Sequence, residues 1–327
     1  MLSQHAGVLP VGWLGVDLFF ALSGYLITGI LLDARGAPAG AVLHAFYARR
    51  AVRIFPLGFL LLAVVFLALP LVTHVRVPLQ EQAWYWLYAS NWRPGNSAGA
   101  LVYLRHFWSL AVEEQFYLAW PIAVLLLSKQ RLWRACVTVL VGGLLLRWAL
   151  PLTVFARTHS VLSLTVTRAD ALAVGAMVAL MARGPTPVSV SALRTLGWIA
   201  AAIVAVLLWR SGGALSSIPL RTVGVTLIAV ASGAVVEWAA SRDGGALTWP
   251  GLTRLGTISY GVYVYHAPVA IWIEPRVPSP SLRLVMVAVL AVPVAALSWR
   301  YIERPILDQK WRWPMPRNRL AKPPLKG

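Results

Sequence analysis

Polar positions are sparse along this chain and fall between long apolar windows, so its alternation has the period of membrane spans rather than of amphipathic surface helices. Windows of about 18 to 22 apolar residues fall at 13–32, 54–73, 107–128, 132–150, 160–182, 194–210, 219–240, 255–274 and 282–300. Nine spans and no strand pattern predict an all-α, polytopic membrane helix bundle. The segment 82–92 is short and aromatic, which predicts a helix lying at the bilayer interface rather than crossing it.

Within that apolar pattern, polar residues recur at helical spacing in the window HFWSLAVEEQFYLAWP, from His106 to Pro121. His106, Ser109, Glu113, Tyr117 and Trp120 share one stripe, while Glu114 shares its face with Phe107, Leu110 and Leu118. An ionised carboxylate near a bilayer centre costs about 3 kcal/mol on insertion scales, so Glu113 needs a partner or a task. Structural ion pairing between helices is the plain alternative, and it weighs more for Glu114. A second polar stripe runs through LGTISYGVYVYHAPVAIW, where Ser259, Tyr263 and His266 align with Tyr260 beside them. Tyrosine and histidine there can donate or relay protons, or bond helix to helix.

Composition agrees with the windows. Of 327 residues 59% are hydrophobic and 12% charged, far from the balance of a soluble domain. The mean hydropathy is +0.70. Sixteen tryptophans and ten tyrosines, many at window ends, suit the two bilayer interfaces. The net charge of +18 falls in short loops and the tail, where lipid phosphate and membrane orientation account for it without nucleic acid. Arg35, Arg49, Arg50 and Arg53 form one basic group, Lys129, Arg131 and Arg134 another, and Arg183 with Arg194 a third. Alternating spans put all three, and the basic tail, on one face, which the positive-inside rule makes cytoplasmic. The opposite face keeps Arg76, Arg93, Arg105, Arg157 and Arg276, cations that could meet an anionic ligand. The single Cys136 makes no intrachain disulfide, and no Cys/His spacing suits a metal, so no metal site is expected. One membrane domain over 1–310, followed by a basic, Pro-rich cytoplasmic tail over 311–327, is the expected organisation.

Further groups capable of chemistry are His5, Asp17 within GVDLFFALSGYL, and the arginines of FYARRAVRIFP. Gly15, Ser23 and Gly24 let another helix approach the first span closely. Arg49 and Arg53, four apart, share a face at the cytoplasmic mouth of a helix, where they serve as a phosphate fork or as topological anchors. In TRADALAVGA, Arg168 and Asp170 form a local ion pair or contact a ligand. YIERPIL sets Glu303 beside Arg304 and stops the last helix at Pro305.

Taken in order, GVDLFFALSGYLI, FYARRAVRIFP, HFWSLAVEEQFYLAWP, TRADALAVGA, SYGVYVYHAP and YIERP resemble the acyltransferase 3 family of bacterial integral-membrane O-acyltransferases, over nearly the whole chain. The resemblance implies a ten-helix domain in the bacterial inner membrane that moves an acyl group, most often acetyl, from acyl-CoA to an acceptor hydroxyl. Acyl-CoA would be a co-substrate, and no permanently bound cofactor is implied. The acceptor would be a glycan or glycosylated metabolite, drawn from lipopolysaccharide, peptidoglycan, exopolysaccharide or a secreted metabolite. His5 matches the histidine of the family's first helix, and the arginine expected eleven positions earlier would fall upstream of Met1. By the same resemblance His5 is general base or transient acyl carrier, Glu113 orients it, and Arg49 and Arg53 hold CoA phosphates. Asp17, Arg168, Asp170, Tyr263 and His266 would line the substrate path. A membrane transporter using buried Glu113, Asp17 and Arg168 as its pathway is the alternative from another class.

Overall fold

The computed structural model describes residues 13–95, 97–212, 217–241 and 248–316. Among these residues every named element is helical, and the backbone pairing outside helices is one isolated bridge, Arg35 with Ala37. This is what a bilayer requires, because a helix satisfies its own N–H and C=O groups where water cannot. The helices are α1 Leu14–Asp33, α2 Ala39–Ala63, α3 Leu79–Trp86, α4 Phe107–Leu126, α5 Lys129–Ala149, α6 Thr165–Arg168 and α7 Asp170–Met181. They continue as α8 Val190–Ser211, α9 Val225–Ala240, α10 Pro250–Thr257, α11 Ser259–Ile273, α12 Pro280–Ser298 and α13 Arg304–Leu307.

Each of the nine predicted windows holds helix. Among the described residues six stretches are long and apolar enough to cross a membrane: Leu14–Asp33, Ala39–Thr73, Lys129–Leu152, Val190–Ser211, Leu220–Ala240 and Pro280–Arg312. The other three windows hold α4, α7 and α11. The run Glu113–Glu114–Gln115 offsets the apolar content of the 20-residue α4. α7 has 12 residues and α11 has 15, each too short to span alone by length. As expected, the interface segment is short, with α3 ending at Trp86 and a 3₁₀ turn at Ser90–Trp92.

Two boundaries differ from the sequence reading. Residues 39–53, which fall between the predicted windows 13–32 and 54–73, are the first turns of α2, because Ala, Leu, Phe and Arg are good or tolerable helix formers and the weak former Gly40 sits in the first turn. The last helix also does not stop at Pro305. It passes through a π turn at Trp299–Glu303 into α13, where Pro305 occupies the first turn, a position needing no N–H donor. Glu303 and Arg304 do not pair: Glu303 accepts from Ser298 Oγ at 3.3 Å, and Arg304 faces Asp308 at 3.8 Å. Beyond α13 the chain turns back on α2, with the Trp313 carbonyl accepting from Arg49 Nε at 2.7 Å.

α1 is the central post. It packs most extensively along α7 and also touches α4 and α9. Close approach depends on glycine: a Cβ at Gly24 would overlap the Leu172 carbonyl, and one at Gly175 would overlap the Ala21 carbonyl. Small residues at such crossings bring backbones together without a hydrophobic driving force, since lipid is as apolar as leucine. Around the crossing lie Val16, Phe20, Val112, Ala171, Leu172, Val174 and Ala229. A larger apolar cluster joins α2, α4 and the 79–104 segment through Phe46, Leu57, Phe66, Tyr85, Tyr88, Leu104 and Phe107.

Gly175→Val should therefore separate α1 from α7 and lower the thermal midpoint of the purified protein in detergent. Gly142→Ala, where an added Cβ meets nothing within 4 Å, should raise stability by about 0.5–1 kcal/mol. Equal melting of Gly175→Val and the parent would refute the packing role.

Candidate active site

The stripe expected on α4 is real and faces inward. His106, Ser109, Glu113, Tyr117 and Trp120 are all buried, and each meets a group from another element. Trp120 Nε1 donates to Thr28 Oγ1 at 2.8 Å. Ser23 Oγ donates to Glu113 Oε1 at 2.5 Å, and the Tyr117 hydroxyl donates to the same oxygen. Ser23 and Tyr117 also touch each other. Both hydrogen-bond partners of this buried carboxylate are hydroxyls, able to accept, donate or pass a proton.

Two turns away along α4, Tyr263 of α11 donates to the His106 carbonyl at 2.9 Å and contacts Ser109 Oγ. The His106 and His266 rings meet edge to face with centroids 5.4 Å apart, and Tyr263 lies 5.4 Å from each. Phe19 of α1 stacks on Tyr263 at 6.3 Å. Two imidazoles and a phenol from α4 and α11 thus share one buried cluster, with His106 only 2% exposed and His266 1%. His106 lay on the stripe legible in the sequence, yet only the fold shows that it meets His266, 160 positions away in the chain.

At the other end of the column is a cavity of about 500 Å³, bordered by Arg49, Arg50, Arg53, Trp299, Arg304 and Lys310. Asp308 is its single lining acid. The Arg53 guanidinium lies 5.6 Å from the Trp299 ring centre. Arg50 links the cavity to the interior, because its guanidinium lies 5.0 Å from the centre of the Tyr117 ring whose hydroxyl bonds Glu113. Arg49 and Arg53 were expected here. Arg50, Trp299, Arg304 and Lys310 were not expected to join them; Arg304 and Lys310 reach this cavity because the chain continues past Ser298 through the π turn.

Arg168 and Asp170 do not pair with each other. Arg168 bonds Asp17 of α1 at 2.9 Å, and Asp170 bonds Arg147 of α5 at 2.9 Å. All four side chains are buried. Arg147 also donates to the carbonyls of Thr167 and Thr222 and to Thr226 Oγ1, and Trp108 lies 5.4 Å from the Arg168 guanidinium. Charges so placed are tolerated in apolar surroundings because each is paired and hydrogen-bonded. This quartet ties α1, α5, α6 and α7 together beside the column.

A neutral network seats the interface segment. Gln115 donates to the Tyr88 carbonyl and to Asn91 Oδ1, both at 2.9 Å, and accepts from Trp92 Nε1 at 3.0 Å and Thr165 Oγ1 at 2.5 Å. His5 lies outside the described residues. The candidate groups in hand are thus a basic cavity, a hydroxyl–carboxyl centre and an imidazole–phenol cluster, in that order along α4. Among the described residues no group of three or more His, Cys, Asp or Glu could hold a metal ion.

These features define a multi-pass helical membrane protein whose interior carries acid–base groups from a cation-lined cavity towards the opposite end. The chain belongs to the acyltransferase 3 family, whose acyltransferase domain it matches over residues 4–300. It is 30% identical to YrhL of Bacillus subtilis (strain 168), provisionally named a peptidoglycan O-acetyltransferase, over 92% of this chain and 51% of that protein. It is also 30% identical to the peptidoglycan O-acetyltransferase OatA of Listeria monocytogenes, over 90% of this chain and 51% of the relative. Identity to the O-acetyltransferase OatA of Staphylococcus aureus is 27%, over 92% and 54%. The chain therefore spans about half the length of the curated relatives it matches. No solved structure matches it.

The quartet yields a direct test. Asp17→Asn leaves Arg168 buried without its counter-charge and should cost about 3–5 kcal/mol, while Asp17→Asn with Arg168→Met should recover most of the loss. Unfolding of the three variants in detergent measures it, and a silent Asp17→Asn would remove the pair from the account.

Proposed function

We propose that the chain is an O-acyltransferase domain that takes an acyl group, acetyl first among the candidates, from acyl-CoA and passes it to a hydroxyl of an extracytoplasmic glycan. The observation that carries this reading is the cation-lined cavity, one of whose arginines, Arg50, contacts the Tyr117 ring while the Tyr117 hydroxyl bonds Glu113. Five basic side chains against one acid suit the phosphates of CoA, and guanidinium forks bind phosphate with charge-assisted hydrogen bonds. The cavity lies at the end of the bundle where the Arg35 side chain bonds the carbonyl of Leu127 and Lys129 bonds that of Arg183. This is the arginine- and lysine-rich end, so by the positive-inside rule it faces the cytoplasm, as does the tail 311–327.

In the reaction the acceptor hydroxyl attacks the thioester carbonyl. A carbon–oxygen bond forms, the carbon–sulfur bond breaks, and the proton lost by the hydroxyl ends on the CoA sulfur. His5 is our choice for the base that carries this proton, or for the nitrogen that holds the acyl group between donor and acceptor. Glu113 supplies the fixed negative charge that balances an imidazolium, and the Ser23 and Tyr117 hydroxyls hold that carboxylate in one orientation. Tyr263 and His266 border the outer part of the acyl path, and Asp17, Arg168 and Asp170 hold its wall. Peptidoglycan is the acceptor class that the names of the Listeria and Bacillus relatives support.

Release of CoA thiol from acetyl-CoA in the presence of a peptidoglycan fragment tests the reaction, because a transporter would leave the thioester intact. Arg53→Ala should raise the half-saturating acetyl-CoA concentration about tenfold, the size of one lost charge-assisted bond. Glu113→Gln, which keeps shape and removes charge, should lower turnover by about 10²-fold or more with donor affinity unchanged. Unaltered kinetics in both variants would overturn the assignment.

A further inference from the structure

A second, smaller cavity of about 230 Å³ lies at the far end of α5, bordered by Arg147, Pro151, His159, Ser160, Leu162 and Arg221. α5 starts at Lys129 on the basic end and runs 21 residues, about 30 Å, to reach it. This cavity and the arginine cavity therefore face opposite sides of the membrane.

The two arginines at the small cavity differ in kind. Arg147 is engaged inward, with Asp170, Thr226 Oγ1 and two carbonyls as its partners. Arg221 makes no salt bridge among the described residues, and its Nε is shielded from solvent without a hydrogen-bond partner there. It sits in a π turn, Leu220–Gly224, that opens α9, and Arg147 holds this turn by donating to the Thr222 carbonyl at 3.2 Å. π turns mark functional positions disproportionately, and the π turn at Trp299–Glu303 borders the donor cavity. Ser160 and His159 also line this cavity, and the His159 ring lies flat on Phe155 with centroids 3.9 Å apart.

We propose that this cavity is an anion subsite for the acceptor, in which Arg221 binds a carboxylate of the glycan. The assignment rests on the proposed function only in that the acceptor arrives at this end. A guanidinium with no acidic partner among the described residues fits one carboxylate, as a two-pronged fork. A lipid surface is usually held by a cluster of cations, whereas the arginines lining this cavity are two, Arg147 and Arg221, and Arg147 is paired with Asp170. The volume is below the range of about 300–1,000 Å³ common for drug-sized ligands, so it takes a single group rather than a chain. An aromatic face beside polar donors suits a sugar ring, apolar on one side and polar at its edge.

N-acetylmuramic acid is the probe, with its methyl ester as the uncharged control, binding to the full chain in zwitterionic nanodiscs followed by saturation-transfer NMR. The acid should bind about tenfold more tightly than the ester, and Arg221→Gln should remove that difference, as expected for one charge-assisted contact. Arg221→Lys should keep part of it, and Ser160→Ala should weaken both probes without closing the gap. Unchanged acetyl-CoA affinity in each variant shows that the fold is intact. Equal binding of acid and ester to the parent chain, or a parent-like preference in a folded Arg221→Gln, overturns the subsite. Loss of acid binding in phosphatidylglycerol nanodiscs, dependent on Arg221, would reassign the cavity to a lipid phosphate and overturn it as well. Acid binding through Arg221 with no CoA release would uphold the subsite while rejecting acyl transfer.

Discussion

A carboxylate buried inside a membrane bundle constrains everything packed around it. Glu113 is held by hydroxyls from Ser23 on α1 and Tyr117 on its own helix. For Ser23 to reach, α1 must lie in a fixed register beside α4, and that register is locked by the glycine crossing of α1 with α7 at Gly24 and Gly175. The buried pair Asp17–Arg168 pins α1 to α6, just ahead of α7, nearer the outer end of α1. Polar groups in lipid contribute modestly when paired and cost several kcal/mol when stranded. The contacts therefore specify one arrangement more than they add stability.

That arrangement brings three chemical environments into line. Arginines and a lysine border a cavity open towards one end, hydroxyls and a carboxylate occupy the middle, and imidazoles with a phenol lie beyond. The Arg50–Tyr117 contact joins the first to the second. On the α4 axis His106 and Glu113 are about 10 Å apart at 1.5 Å per residue, so a group moving between them needs only a short path.

Much of this was legible in the chain itself. The α4 stripe follows from a spacing of three and four residues in a window that allows no conformation but helix, and all five of its members are buried as expected. Arg49 and Arg53 reach one cavity because both lie on the same short stretch of α2. Pairing across elements was not legible: Arg168 and Asp170 stand two apart, yet each pairs with a residue on another helix, Asp17 or Arg147. Local spacing carries no information about which of several charges a helix crossing will bring within 3 Å. The start of α2 was misjudged for a related reason, since arginines that mark a membrane boundary are also good helix formers. Arg221 stood out in no pattern, because a π turn rather than periodicity sets its direction.

In the proposed reaction, donor and acceptor use opposite ends of one polar column. Oriented proteoliposomes test it most directly, with radiolabelled acetyl-CoA supplied only on the side of the arginine cavity and a peptidoglycan fragment only on the other. Labelled acceptor should form on the side opposite the donor, with CoA retained where it was added. Labelled acceptor formed only when both substrates share one side would contradict it.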